Sequence, residues 1–341
     1  GMRILLIGFG VVGQSFAKLI LERRNELVKV HGLNPRIVGV VDKGGAAVAN
    51  PELDLAEVLE VKKREDTVAA SKHGKKDASA LDLISNLDLD VVVETTPTNI
   101  KTAQPGLSHI EYALKLKRNV ITTNKGPLAL ALPELIELSR YNNVALLFSG
   151  TVGGGTPILD FGKRCLASDK LVMVEGILNG TTNYILSSME AEGKSFEEAL
   201  KEAQRLGYAE ADPTLDVEGW DTACKTVIIA NWLMGRGVTL KDLSVEGITH
   251  VTKSDIEEAK KKGKSIKLVG RVAERIDVKP RLINRNDPIC ISGTLNAVRF
   301  VSQYAGDEII IGKGAGGMET ASAILRDLLE VKYRMAQRWY E

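Results

Sequence analysis

Short, largely apolar runs alternate along this chain with longer stretches whose apolar residues recur at helical spacing. Met2–Ile7, Ile37–Val41, Leu89–Val93 and Asn119–Thr122 are each too short for a stable helix and rich in Val, Ile and Leu. Such runs read as strands buried on both faces. Val144–Phe148 closes the series, while Gln14–Glu26 and His109–Arg118 have helical composition. Strand and helix in alternation over residues 1–150 predict a doubly wound parallel sheet. Beyond that point the pattern changes. Leu171–Leu178 reads as a further strand, and Trp220–Met234, apolar on nearly every face, as a buried helix. A second, α+β domain over residues 151–310 is therefore expected.

The first strand runs into Gly8-Phe9-Gly10-Val11-Val12-Gly13 and then into a helical stretch. In that context G-x-G-x-x-G is a dinucleotide-binding fingerprint of the Rossmann type. Gly8 permits a tight turn, Gly10 lets backbone approach a pyrophosphate, and Gly13 lets helix and strand pack closely. A plain tight turn is the blander reading. At the end of the second strand stand Asp42 and Lys43. An acid there bonds a ribose 2′-hydroxyl and favours NAD, whereas a cation meets the 2′-phosphate of NADP; the sequence carries both. Thr95, Thr96 and Pro97 follow another strand, where open α/β sheets touch their ligands, although an ordinary Thr/Pro loop would look the same. Lys125 follows a fourth strand and precedes a helix that Pro127 can start. It can polarise a carbonyl oxygen or be a solvated surface lysine.

The second half carries candidate acid–base chemistry. Thr151-Val152-Gly153-Gly154-Gly155 is either a hinge or a loop whose carbonyls face a ligand or cation. Asn179-Gly180-Thr181 begins a helix whose free N–H groups can hold a carboxylate, or it is an N-cap without a ligand. Five carboxylates lie between Glu210 and Asp221, in a loop leading into the apolar helix. Asp221 and Lys225 stand four apart on one face of that helix and can pair. Burial disfavours an ammonium and a neighbouring acid favours it, so such a pair is a tunable proton donor. An exposed pair would be worth under about 1 kcal/mol and mean little.

Composition narrows the classes. The 341 residues suit two or three domains. Lys plus Arg number 45 and Asp plus Glu 44, which marks neither a nucleic-acid nor a membrane partner. No apolar run reaches the roughly 18 residues of a membrane span, and no leader pattern opens the chain, so a cytoplasmic location is expected. Cys165, Cys224 and Cys290 form no CxxC pair, and the four histidines show no metal-ligand spacing. Acid–base work therefore falls to Lys, Asp or Glu.

From Ala203 to Lys225 the chain reads A-x-x-x-G-Y-A-x-x-D-P-x-x-D-V-x-G-x-D-x-x-x-K, which resembles the signature of the homoserine dehydrogenases. Asn124-Lys125, Thr151–Gly155, Asn179-Gly180-Thr181 and the segment Gly312–Ala321 resemble further elements of that family, so the likeness covers essentially the whole chain. It implies NAD(P)-dependent reduction of L-aspartate 4-semialdehyde to L-homoserine, reversibly, in threonine and methionine biosynthesis. Lys225 would be the general acid/base and Asp221 its partner. Glu210 and Asp216 would hold the substrate, with Gly207 and Tyr208 beside it and Gly180 and Thr181 at its carboxylate. Lys125 would reach toward the substrate and the nicotinamide. Gly314 and Gly316 would lie at the cofactor, the segment 311–341 completing the cofactor domain. A homodimer is implied, with the second domain forming its interface. The family holds a sodium ion on carbonyls of the Thr-Val-Gly loop, here Val152 and Gly154. Family members usually carry Glu two residues before that loop, and this chain has Ser149. The tail from Gly312 leaves no length for a regulatory domain, so feedback through one is not expected.

Two other classes fit parts of the pattern. Another Rossmann reductase has no need of Asp221 and Lys225 after a D-P-x-x-D loop. A nucleotide sensor without turnover would tolerate loss of Lys225.

Overall fold

The computed structural model describes residues 1–337. The last four residues of the segment expected to complete the cofactor domain lie outside the described residues. The chain divides into two compact units, one made of Gly1–Thr151 with the chain from Gly316 onward, the other of Val152–Ala315.

In the first unit the strands are β1 (Met2–Ile7), β2 (Pro35–Asp42), β3 (Gly45–Val48), β4 (Gly74–Lys75), β5 (Val91–Glu94), β6 (Asn119–Thr122) and β7 (Leu146–Leu147). They form one sheet in the order β4-β3-β2-β1-β5-β6-β7. β1 pairs in parallel with β2 on one side and β5 on the other, Ile4 standing opposite both Ile37 and Val91. The chain winds outward from β1 in two directions, and ligands of such sheets sit beyond the carboxyl ends of the strands at that reversal. β3 and β4 run antiparallel and extend the edge beyond β2. Helices α1 (Val11–His31), α2 (Leu55–Glu65), α3 (Ala80–Asn86), α4 (Gly106–Lys115) and α5 (Lys125–Tyr141) connect the strands. α1 runs five residues past the expected Glu26 and stops at Gly32, whose left-handed backbone (φ 63°) closes the last turn. α5 breaks its helical geometry at Ala131, two residues before Pro133, because a proline ring displaces the turn before it.

In the second unit come the short helix α6 (Ile158–Asp160), strand β8 (Leu171–Ile177), and helices α7 (Gly180–Glu192), α8 (Phe196–Arg205), α9 (Thr214–Val217) and α10 (Trp220–Met234). Next are β9 (Ser244–Val245), α11 (Lys253–Lys261), and strands β10 (Lys264–Val272), β11 (Ile276–Asn284), β12 (Leu295–Ser302) and β13 (Gly306–Lys313). The sheet order is β13-β12-β8-β10-β11-β9, antiparallel except for β11 with β9. Helix α10 is buried from Thr222 to Ala230, as its all-round apolar pattern requires. The lysine-rich stretch 260–264 is the end of α11 and the turn into β10. Helix α12 (Gly317–Gln337) belongs to the first unit, where it packs against α1. Among the described residues no helix is long and apolar enough to cross a membrane.

Candidate active site

In the first unit, α1 starts at Val11 with no side chain capping its first turn. A Cβ built on Gly10 meets nothing within 4 Å, while one on Gly13 would lie 2.3 Å from the Gly8 carbonyl oxygen. The loop thus has one open glycine at the helix entrance and one glycine that closes helix against strand. Thr95 Oγ1 donates to the carbonyls of Ile7 (2.9 Å) and Gly8 (3.0 Å), so the end of β5 braces the turn from beneath. Open space, uncapped N–H groups and bracing from the next strand fit the pyrophosphate of a dinucleotide. Phe9 is buried, whereas Val11 is exposed and Val12 half-buried.

Asp42 does not present a free carboxylate. Its Oδ1 accepts from Gly44 N (2.9 Å) and Thr67 Oγ1 (3.0 Å); its Oδ2 accepts from Lys62 Nζ (2.9 Å) and Val68 N (2.7 Å). Burial works to raise this carboxyl, but the bonds from Val68, Lys62, Thr67 and Gly44 prevail and hold it below its ordinary value. Lys43 is exposed beside it. Lys125 is the first residue of α5 and half-buried; Asn124 caps that helix, its side-chain oxygen accepting from Gly126 N (3.2 Å). Pro127 sits within the first turn, where a missing N–H costs nothing. Gly316 has a left-handed backbone (φ 131°), and a Cβ there would strike Glu319.

The second unit gathers the acid–base residues. Lys225 is only 6% exposed. Its Nζ donates to the Leu178 carbonyl (2.6 Å) and pairs with Asp221 Oδ2 (2.7 Å). Helix α10 can begin this close to the preceding turn because Gly219 adopts φ 90°. Asn179 joins the parts. Its Nδ2 donates to Asp216 Oδ1 (2.8 Å) and Asp221 Oδ2 (2.9 Å), and its Oδ1 accepts from Thr182 N (2.8 Å) and Thr182 Oγ1 (2.9 Å). One side chain therefore caps α7 and ties two carboxylates to the lysine. The sequence offers Asn179-Gly180-Thr181 as a carboxylate-binding helix start or an N-cap; Asn179 is the cap, and its bridge to Asp216 and Asp221 is the part the sequence did not show. Thr181 Oγ1 donates to the Tyr208 carbonyl (2.5 Å), and the Tyr184 and Tyr208 rings stand 4.8 Å apart, which fixes the loop from Gly207 to Asp212 on α7. Gly207 (φ 83°), Tyr208 and Glu210 are exposed. Asp212 is spent on a turn, accepting from Thr214 N and Oγ1.

Val152, Gly153 and Gly154 are buried, and a Cβ on Gly154 would lie 3.1 Å from Ala315 N and from the Gly314 carbonyl. Gly314 lies flat against the Asn296 side chain, which is buried with neither amide atom bonded; nothing in the sequence singled out Asn296. Among the described residues no three His, Cys, Asp or Glu side chains gather as a metal site.

The family model described as "Homoserine dehydrogenase, NAD binding domain" matches residues 8–149, and the one described as "Homoserine dehydrogenase" matches 157–329. A homoserine dehydrogenase of Methanocaldococcus jannaschii is 42% identical over 97% of this chain and 98% of its own length. An NAD(+)-dependent homoserine dehydrogenase of Pseudomonas canavaninivorans is 40% identical over 96% of each chain. A hyperthermophilic archaeal homoserine dehydrogenase solved in complex with NADPH superposes with a TM-score of 0.85 at 26% identity, over 98% of both chains. With both units matched and relatives this similar along their whole length, the chain belongs to the homoserine dehydrogenase family.

Proposed function

We propose that Lys225 is the general acid of this enzyme when L-aspartate 4-semialdehyde is reduced to L-homoserine, and the general base in the reverse direction. The reaction is that of the family, an NAD(P)-dependent oxidoreduction in amino-acid biosynthesis on a small-molecule substrate. A bound nicotinamide dinucleotide, NAD or NADP, supplies the hydride. The uncapped start of α1, with Gly8 to Gly13, holds its pyrophosphate, and Thr95, Thr96 and Pro97 contact it from the end of β5. Gly314 and Gly316 are assigned to the same cofactor on the likeness of their segment. Asp42 and Lys43 stand at the strand end that reads the 2′ position.

The aldehyde oxygen gathers negative charge as it becomes an alcohol, and Lys225 delivers the proton there. Asp221 pairs with that ammonium and aims it. Lys125 adds a second cation for the developing alkoxide. Asp216 and Glu210 bind the substrate's ammonium, and the Gly180–Thr181 turn supplies N–H groups to its carboxylate, with Gly207 and Tyr208 forming the edge. The observation that carries this reading is the Lys225–Asp221 contact at 2.7 Å inside a lysine site almost closed to solvent. A surface ion pair would lack that burial. The same reading includes a sodium ion on the carbonyls of Val152 and Gly154 and a homodimer, both resting on likeness to the family, and a cytoplasmic location.

Its test is the oxidation of NADPH and NADH with L-aspartate 4-semialdehyde by the wild type and by Lys225→Met. We expect turnover with at least one cofactor and a loss of about two orders of magnitude or more in the variant. A folded wild type that binds nucleotide but reduces no semialdehyde would overturn the assignment.

A further inference from the structure

Glu94 closes strand β5, and its side chain is fully buried at a place where an apolar residue would end the strand at lower cost. Every donor that meets it comes from a strand-end turn or from α4. Oε1 accepts from the backbone N of Thr96 (2.8 Å) and from the Thr96 hydroxyl, and Oε2 meets His109 Nδ1 at 2.5 Å. The Thr96 oxygen in turn accepts from Asn124 Nδ2 (3.2 Å), the residue that caps α5 directly before Lys125. Helix α4 is shaped for this. It brings His109 one turn in from its start, and its first residue, Gly106, leaves room for Asn124, since a Cβ there would fall 2.3 Å from Asn124 Nδ2.

We propose that Glu94 and His109 are a positioning pair that locks the turn after β5 and the turn after β6 into one rigid cofactor-binding surface. Neither residue touches the reacting atoms. The pair fixes the Thr96 hydroxyl by giving its only proton a permanent acceptor, and through Asn124 it fixes the start of α5. Buried polar networks of this kind rigidify what they connect when every member is satisfied. The inference rests on the reading that these turns hold the dinucleotide.

The test is isothermal titration of NADPH and NADH into the whole enzyme, together with steady-state kinetics, for Glu94→Gln, His109→Leu and His109→Asn. The dissociation constant should rise about tenfold in Glu94→Gln and His109→Leu, the loss expected for one charge-assisted hydrogen bond. His109→Asn offers a donor near the Nδ1 position and should recover most of that loss. KM for the semialdehyde should move less than KM for the cofactor. If Glu94→Gln fails to fold, the comparison of His109→Leu with His109→Asn carries the test. Wild-type cofactor affinity in all folded variants, or equal losses in His109→Leu and His109→Asn, overturns the proposal while leaving the cofactor reading intact. A wild type that binds neither dinucleotide overturns both.

Discussion

At the residue scale, the acid–base cluster depends on one neutral side chain. Asn179 stands between Asp216 and Asp221 and also caps α7. Its amide donates to both carboxylates, one of which also pairs with Lys225. Asn179→Ala should therefore do two separable things. Loss of the cap should cost about 1 kcal/mol of stability, read as a lower urea midpoint. Loss of the bridge should lower kcat/KM for the semialdehyde about tenfold, because Asp221 is then free to leave the lysine. A variant with the stability loss and unchanged kinetics would make Asn179 a cap and nothing more. The sequence showed the lysine and its acid through their spacing of four. It did not show Asn179's hydrogen bonds to Asp216 and Asp221, because those residues lie 37 and 42 positions away.

At the element scale, what was legible depended on how local the determining interactions are. β1, β6 and α10 run over the residues their apolar patterns predict. The antiparallel strands β3 and β4 were not foreseen. Gly45–Val48 is four residues long and Gly74–Lys75 two, too short to show a period; the edge of β2 offers β3 a ladder, and β3 in turn offers one to β4. Asp42 belongs to that edge. It ties β2 to Lys62 on α2 and to the turn at Thr67 and Val68. Its carboxyl is held below the ordinary value, so its stabilisation is complete above the unfolded value of about 3.9 and is lost as pH falls through the lower, folded one. Lys62→Met should thus be less stable than wild type by about 1 kcal/mol at neutral pH. Measured by urea unfolding, that gap should shrink as pH falls below about 4, since the protonated acid no longer needs the cation. A gap that stays constant across the range would mean the lysine acts through packing alone.

At the scale of the whole molecule, two sheets of different kinds hold the two sets of candidate site residues. The first, parallel around β1, opens its strand ends to a glycine turn without a capped helix start. The second, nearly all antiparallel, supplies through Leu178 a carbonyl at the end of β8 that receives the buried lysine. The glycine fingerprint and the Gly207–Lys225 segment made both visible in the sequence, since their residues are contiguous. The Glu94–His109 contact was invisible because it joins β5 to α4 across fifteen positions, and Asn296 because only the fold buries it beside Gly314.

On the proposed mechanism Lys225 moves the proton. The direct measurement is kcat for L-aspartate 4-semialdehyde reduction by Lys225→Ala at saturating cofactor, with and without added methylamine, and with cofactor affinity checked on the same preparation. A fall of about two orders of magnitude or more is expected, with unchanged cofactor affinity and partial recovery in proportion to the amine. A folded variant that binds cofactor normally and keeps kcat within about threefold of wild type, with no response to amine, would contradict it.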